Sequence, residues 1–132
     1  MNTSLIRLSR ALVALIFVIG GLGKIAAFSA TKDFIASVGF PLPALFLAGA
    51  IAFEVFGGIA LLVGYKVRWA AGALIIFLIP ATIIFHAMNL TDAAQGQQQM
   101  IEVLKNLAII GALVKFLADE SIAPRLAAPA ER

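Results

Sequence analysis

The chain has 132 residues, 62% of them hydrophobic and 13% charged, with a formal net charge of +3. Its mean hydropathy is +1.04, more apolar surface than a soluble domain of this size can cover and what a bilayer can accommodate. The basic balance then belongs to cations flanking membrane spans rather than to nucleic-acid binding, and the lack of cysteine excludes disulfides, thiolate metal sites and dithiol redox chemistry within the chain.

Arg7 and Arg10 precede an uncharged run from Ala11 to Gly23. Residues 8–28 make about 30 Å of helix, enough for one crossing. A signal peptide shares the basic start and apolar core, but Lys24 falls where cleavage would occur and no small-x-small site follows. The Gly20–Lys24 string lacks the full spacing, the Ser/Thr and the preceding strand of a phosphate loop. Its glycines read better as positions of close helix packing.

The first loop, 29–43, predicts a short interfacial helix. Thr31 would cap it, Phe34, Ile35 and Val38 would share one side, and Gly39 would end it. Pro41 and Pro43 give a rigid lead-in to the second span, 44–64. Glu54 sits near the middle of that span, where an ionised side chain costs roughly 2.5 kcal/mol or more. It therefore needs a partner or a retained proton. Its helical neighbours Ala50, Ile51, Gly57 and Gly58 are mostly small, so another helix can approach and shield it from lipid.

Tyr65, Lys66, Arg68 and Trp69 form a tight basic turn with interface anchors. The third span, 70–90, contains Pro80, which predicts a kink, and ends with His86 and Asn89. Thr91 to Gln99 reads as a polar loop. The fourth span, 100–118, is the least hydrophobic, with Glu102, Lys105 and Asn106 on one face and Lys115 near the other end. A surface-lying amphipathic helix is the rival reading for it, and the apolar run Leu107 to Val114 favours a span. The tail, 119–132, is charged, contains Pro124 and Pro129, and is expected to be partly disordered. There is no internal repeat and no second domain. The expected fold is all-α: a four-helix transmembrane bundle with a short interfacial helix in the first loop.

In a four-span topology Arg7, Arg10, Lys66, Arg68, Lys115, Arg125 and Arg132 fall on one side and Lys32 on the other. Both termini are then expected in the cytoplasm. The same topology brings Lys24, His86, Lys105 and Asn106 to similar depths in the outer half of the membrane, with Glu54 deeper, about 15 Å below the start of its span by helix rise, and paired to Lys24 or Lys105. Each has a plainer reading. The lysines can snorkel to headgroups, His86 can be solvated, and a Glu54–Lys pair can simply fix helix register. One histidine and no cysteine exclude a bis-histidine haem and give no support to a metal site.

Taken in order, an N-terminal Arg, Gly20-x-x-x-Lys24, Gly39-x-Pro41, Glu54-x-x-Gly57-Gly58, Gly64-x-x-x-Arg68, Phe85-His86 and Lys105-Asn106 resemble the DoxX family of small bacterial and archaeal membrane proteins. The resemblance runs from about Arg7 to Leu117. It implies a four-helix integral protein of the cytoplasmic (inner) membrane. Some members of the family belong to a membrane thiosulfate:quinone oxidoreductase, and others are tied to oxidative-stress or aromatic-compound responses. The positions it singles out are Lys24, Glu54, His86, Lys105 and Asn106.

Two functions are expected from these readings. In one, the chain is the membrane subunit of a quinone-linked redox system: Lys24 or Lys105 donates to a quinone oxygen, His86 passes a proton, and Glu54 relays or balances charge. The chain has no cofactor motif and no expected covalent cofactor, so electrons would come from a partner protein. In the other, it is a non-catalytic scaffold or small-molecule carrier whose polar cluster is structural. Association with further copies of itself is compatible with both.

Overall fold

The computed structural model describes residues 3–126, with side chains through residue 119. Its helices are α1 (Thr3–Ala26), α2 (Phe28–Ser37), α3 (Pro43–Val63), α4 (Val67–Phe85) and α5 (Gly96–Leu126), with a 3₁₀ turn at Ala87–Asn89. There is no strand among the described residues. The all-α class is as expected, with four long helices and a short one in the first loop. The chain divides into two compact units, Met1–Lys66 and Val67–Arg132.

In the first unit α1 packs on α3 with the chains antiparallel. The contact is close because glycine faces backbone on both sides. A Cβ added at Gly21 would lie 2.6 Å from Val55 Cγ2 and 3.3 Å from Glu54 Cβ. One added at Gly58 would lie 2.8 Å from Val18 Cγ2 and 3.2 Å from Phe17 Cβ. Ala14 and Phe17 of α1 and Leu47, Ala50 and Leu61 of α3 are buried as well. Small residues at a crossing let dispersion contacts, rather than hydrophobic transfer, hold helices together in lipid.

Local chemistry sets the ends of these helices. α1 and α2 are separated by Ala27 alone, and the Thr31 hydroxyl donates back to the Ala27 carbonyl at 2.9 Å. Thr31 thus lies inside α2 rather than capping it, because the chain barely leaves the helical conformation after α1. Gly39, at φ 82°, stops α2 as its sequence position predicts. Ile35 is the buried residue of α2, which packs on α3; Phe34 and Val38 are exposed. Pro43 opens α3, where its missing N–H costs nothing. Gly64, at φ 79°, closes it, with Tyr65 N donating to the Ala60 carbonyl at 2.9 Å.

In the second unit α4 packs on α5. Val67, Ala70, Ala71, Leu74 and Leu78 from α4 and Leu113 and Phe116 from α5 are buried. α4 stays helical on both sides of Pro80, which withholds an N–H from the Ile76 carbonyl. α5 begins at Gly96, so residues 96–99, expected in a loop, are helical. The cause is Asp92, whose Oδ1 accepts from the N–H groups of Ala94 and Gln95, both at 2.9 Å. That carboxylate organises the approach to the helix. α5 continues to Leu126, past the expected limit of 118. The remainder of the expected disordered tail, 127–132, lies outside the described residues.

Among the described residues three helical segments are long and apolar enough to cross a membrane: Thr3–Ala26, Pro43–Val63 and Val67–Asn89. α5 is not among them, since Glu102, Lys105 and Lys115 interrupt its stretch 100–118. Large apolar side chains such as Leu12, Ile19, Phe56, Val63 and Ile76 are exposed, as lipid-facing residues must be.

Candidate functional site

The five residues singled out by sequence fall in two places. Lys24 and Glu54 belong to the first unit. His86, Lys105 and Asn106 belong to the second.

Lys24 lies in the last turn of α1 and Glu54 in the middle of α3. The Lys24 ammonium donates to both carboxylate oxygens of Glu54, at 2.8 Å to Oε2 and 3.0 Å to Oε1. The Glu54 side chain is 10% exposed and that of Lys24 33%. The carboxylate is therefore enclosed while the ammonium retains a path outwards. Of the two lysines considered for Glu54, Lys24 is its partner. Lys105 pairs instead with Glu102, one helical turn away on α5.

The antiparallel packing explains why these two residues meet. Gly21 against Val55 and Gly58 against Val18 fix the register, and Lys24 and Glu54 lie one turn beyond each glycine contact. Gly20 completes the site. A Cβ at that position would touch both Lys24 Nζ at 3.8 Å and Glu54 Oε2 at 3.9 Å. The missing methyl leaves that side of the ion pair uncovered. An ammonium has three N–H donors, and Glu54 uses two of them. A third is left for an incoming acceptor.

The second unit holds a different polar set. Asn106, buried at the α4–α5 contact, donates from Nδ2 to Thr82 Oγ1 at 2.9 Å. Thr82 in turn donates to the Leu78 carbonyl at 2.7 Å. A hydroxyl that both accepts and donates satisfies two buried polar groups at once, as an apolar interior demands.

His86 lies just past the end of α4, in the turn before the 3₁₀ segment, rather than a turn inside a span. Its Nδ1 donates to Gln99 Oε1 at 2.7 Å. Since an amide oxygen only accepts, the other ring nitrogen keeps its lone pair when the ring is neutral. Gln98 Nε2 donates to Glu102 Oε1 at 3.2 Å, so the glutamines extend the polar surface of α5. Sequence reading missed Gln99 as the histidine's partner because it treated residues 91–99 as a loop. The available signal was Asp92 placed ahead of a run of helix-tolerant glutamines. Among the described residues no group of three or more His, Asp or Glu side chains could hold a metal ion.

The spacing of these features along the chain matches that of a known family. The DoxX family model matches residues 5–87, which spans α1 to the end of α4 and includes Lys24, Glu54 and His86. The chain belongs to the DoxX family. Inner membrane protein YphA of Escherichia coli (strain K12) is 33% identical over 111 residues, covering 83% of this chain and 79% of the relative. Inner membrane protein YqjF of the same strain is 29% identical over 103 residues, covering 78% of this chain and 74% of the relative. No solved structure matches. The DoxX match ends at residue 87, so Gln99, Lys105 and Asn106 lie beyond it. Family membership and the three apolar helices make this a membrane protein.

Proposed function

We propose that this DoxX member is the membrane subunit of a quinone-linked redox system, and that the Lys24–Glu54 pair receives the quinone head group. The observation that carries the reading is the uncommitted third donor of Lys24, beside Gly20 and on the uncovered side of an otherwise enclosed pair. A quinone oxygen needs a hydrogen-bond donor at the edge of an apolar surface, and this geometry offers one. Glu54 would hold the ammonium in place and balance charge as the head group changes state. Reduction of a quinone takes two electrons and two protons. The sequence carries no electron-transfer motif, so the electrons belong to a partner protein. The two protons come from solvent, which the part-exposed Lys24 reaches.

The topology proposed with this function is multi-pass in the cytoplasmic membrane, with α5 as a fourth span and both termini inside. The charge distribution among the loops supports it. Single cysteines placed at Ser29 and Gln97 should react with an impermeant maleimide from outside, and those at Lys66 and Ala130 should not. Reaction of Gln97→Cys and Ala130→Cys from the same side would remove the fourth span.

A structural role is the second reading, favoured by the glycine-mediated crossing that the ion pair adjoins. Short-chain quinone binding to protein in nanodiscs separates the two. The Lys24→Met/Glu54→Leu double variant should remain folded and lose at least about tenfold in quinone affinity, the value of one good hydrogen bond to a charged donor. Unchanged affinity in folded double variant would leave the scaffold reading standing.

A further inference from the structure

A second set of cations lies at the other end of the first unit. Lys24 and Arg10 are separated by about 21 Å along α1, from the rise of an α-helix. Arg10 is seated directly on Gly64, the residue that closes α3. A Cβ there would lie 2.8 Å from Nη1 and 2.9 Å from Nη2. The guanidinium is therefore held flat against a surface that only glycine leaves open. Its Nε is buried and has no hydrogen-bond partner among the described residues.

Two further cations are close in sequence to this contact, one to Arg10 and one to Gly64. Arg7 precedes Arg10 by one helical turn and is exposed. Lys66 follows Gly64 by two residues, is exposed, and carries its ammonium 5.4 Å from the centre of the Tyr65 ring. Its backbone, at φ 43°, is left-handed, so the turn after α3 has a defined shape.

The acids of this unit are committed elsewhere. They are Asp33 and Glu54. Asp33 Oδ1 lies 3.2 Å from Lys32, and Glu54 is held by Lys24. Arg7, Arg10 and Lys66 thus have no acid of their own unit to neutralise them. The carbonyl end of α3 accounts for one nearby cation through its dipole, but not for three.

We infer that Arg7, Arg10 and Lys66 bind the phosphate of an anionic phospholipid headgroup. A guanidinium presents parallel N–H groups that match two phosphate oxygens, and the flanking cations raise the local attraction for negative charge. A lipid source fits better than free phosphate because exposed Leu8, Leu12, Leu62 and Val63 adjoin the cations on the same two helices and offer an apolar surface to acyl chains. Tyr65 stands where interfacial aromatic residues settle.

The test is retention of added lipid by the purified full-length protein, read by native mass spectrometry with phosphatidylglycerol and phosphatidylethanolamine. The wild type should retain phosphatidylglycerol in preference. Arg7→Gln and Lys66→Gln, both at exposed positions, should each weaken that retention about fivefold with an unchanged melting temperature. Arg10→Gln should weaken it further. Equal retention of the two lipids by the wild type, or undiminished preference in the Arg7 and Lys66 variants, would overturn the assignment. Inorganic phosphate should displace little of the bound phosphatidylglycerol at millimolar concentration. Full displacement at that level would mark a free-phosphate site and end the lipid reading.

Discussion

Lys24→Met is expected to destabilise the protein by about 3 kcal/mol, because it leaves the enclosed Glu54 carboxylate without a counter-charge. This is the lower end of the range for breaking a buried pair, as the Lys24 side chain keeps 33% exposure and some solvation. Glu54→Gln should cost less. The amide still accepts from Lys24, and the lysine can draw on its outward path for the solvation it loses. The Lys24→Met/Glu54→Leu double variant should recover most of the loss, since an apolar pair of similar volume removes both desolvated charges together. Chemical or thermal unfolding in detergent of the wild type, Lys24→Met, Glu54→Leu and the double variant, run as a double-mutant cycle, measures the coupling. Additive losses from the two single changes would mean that the bond does not hold the helices as described. The same double variant, folded but without its polar pair, is what the quinone-binding measurement requires.

Much of this architecture was legible in the sequence. The long apolar stretches around residues 8–28, 44–64 and 70–90 could only be helices once a bilayer was the solvent, since lipid offers nothing to unpaired backbone groups. Glu54 declared itself by its depth. Its partner was ambiguous because two lysines could reach it under a topology drawn from helix lengths alone. The choice came from the register of α1 against α3, which depends on which glycines meet which side chains. Gly21 and Gly58 set that register, and hydropathy carries no such information. The start of α5 was misplaced for a related reason. Glutamine-rich polar sequence reads as loop by composition, while the side-chain bonds from Asp92 to two successive N–H groups make it the approach to a helix. His86 shows the consequence, since its partner Gln99 belongs to the segment read as loop. Asn106 was legible as a polar residue of the last helix, but its bond to Thr82 follows from the packing of α5 on α4, which spacing along one helix does not specify.

Gly21→Ala and Gly58→Ala should each destabilise by about 1–3 kcal/mol, the usual penalty for forcing volume into a packed seam. Both methyls meet a valine Cγ2, a Cβ and a valine backbone nitrogen, but the backbone nitrogen is at an ordinary 3.4 Å from the carbon added at Gly21 and at a tight 3.2 Å from the one added at Gly58. At Gly21 the closest atom is the end of the Val55 side chain, at 2.6 Å, which can rotate away; Glu54 Cβ at 3.3 Å has less freedom. At Gly58 the added carbon meets Val18 Cγ2 at 2.8 Å and also the Val18 backbone nitrogen at 3.2 Å, which can yield only if α1 moves. Gly58→Ala is therefore expected to be the more damaging. Gly20→Ala supplies the internal comparison, because its methyl would sit at ordinary contact distances of 3.8 and 3.9 Å from the ion pair. It should leave stability nearly unchanged, and under the proposed function it should hinder quinone binding by covering the open side of Lys24. Melting temperatures of the three variants rank the effects. Equal, small shifts for all three would show that α1 and α3 are not held at glycine contact distance, and the Lys24–Glu54 geometry that depends on that distance would fall with it.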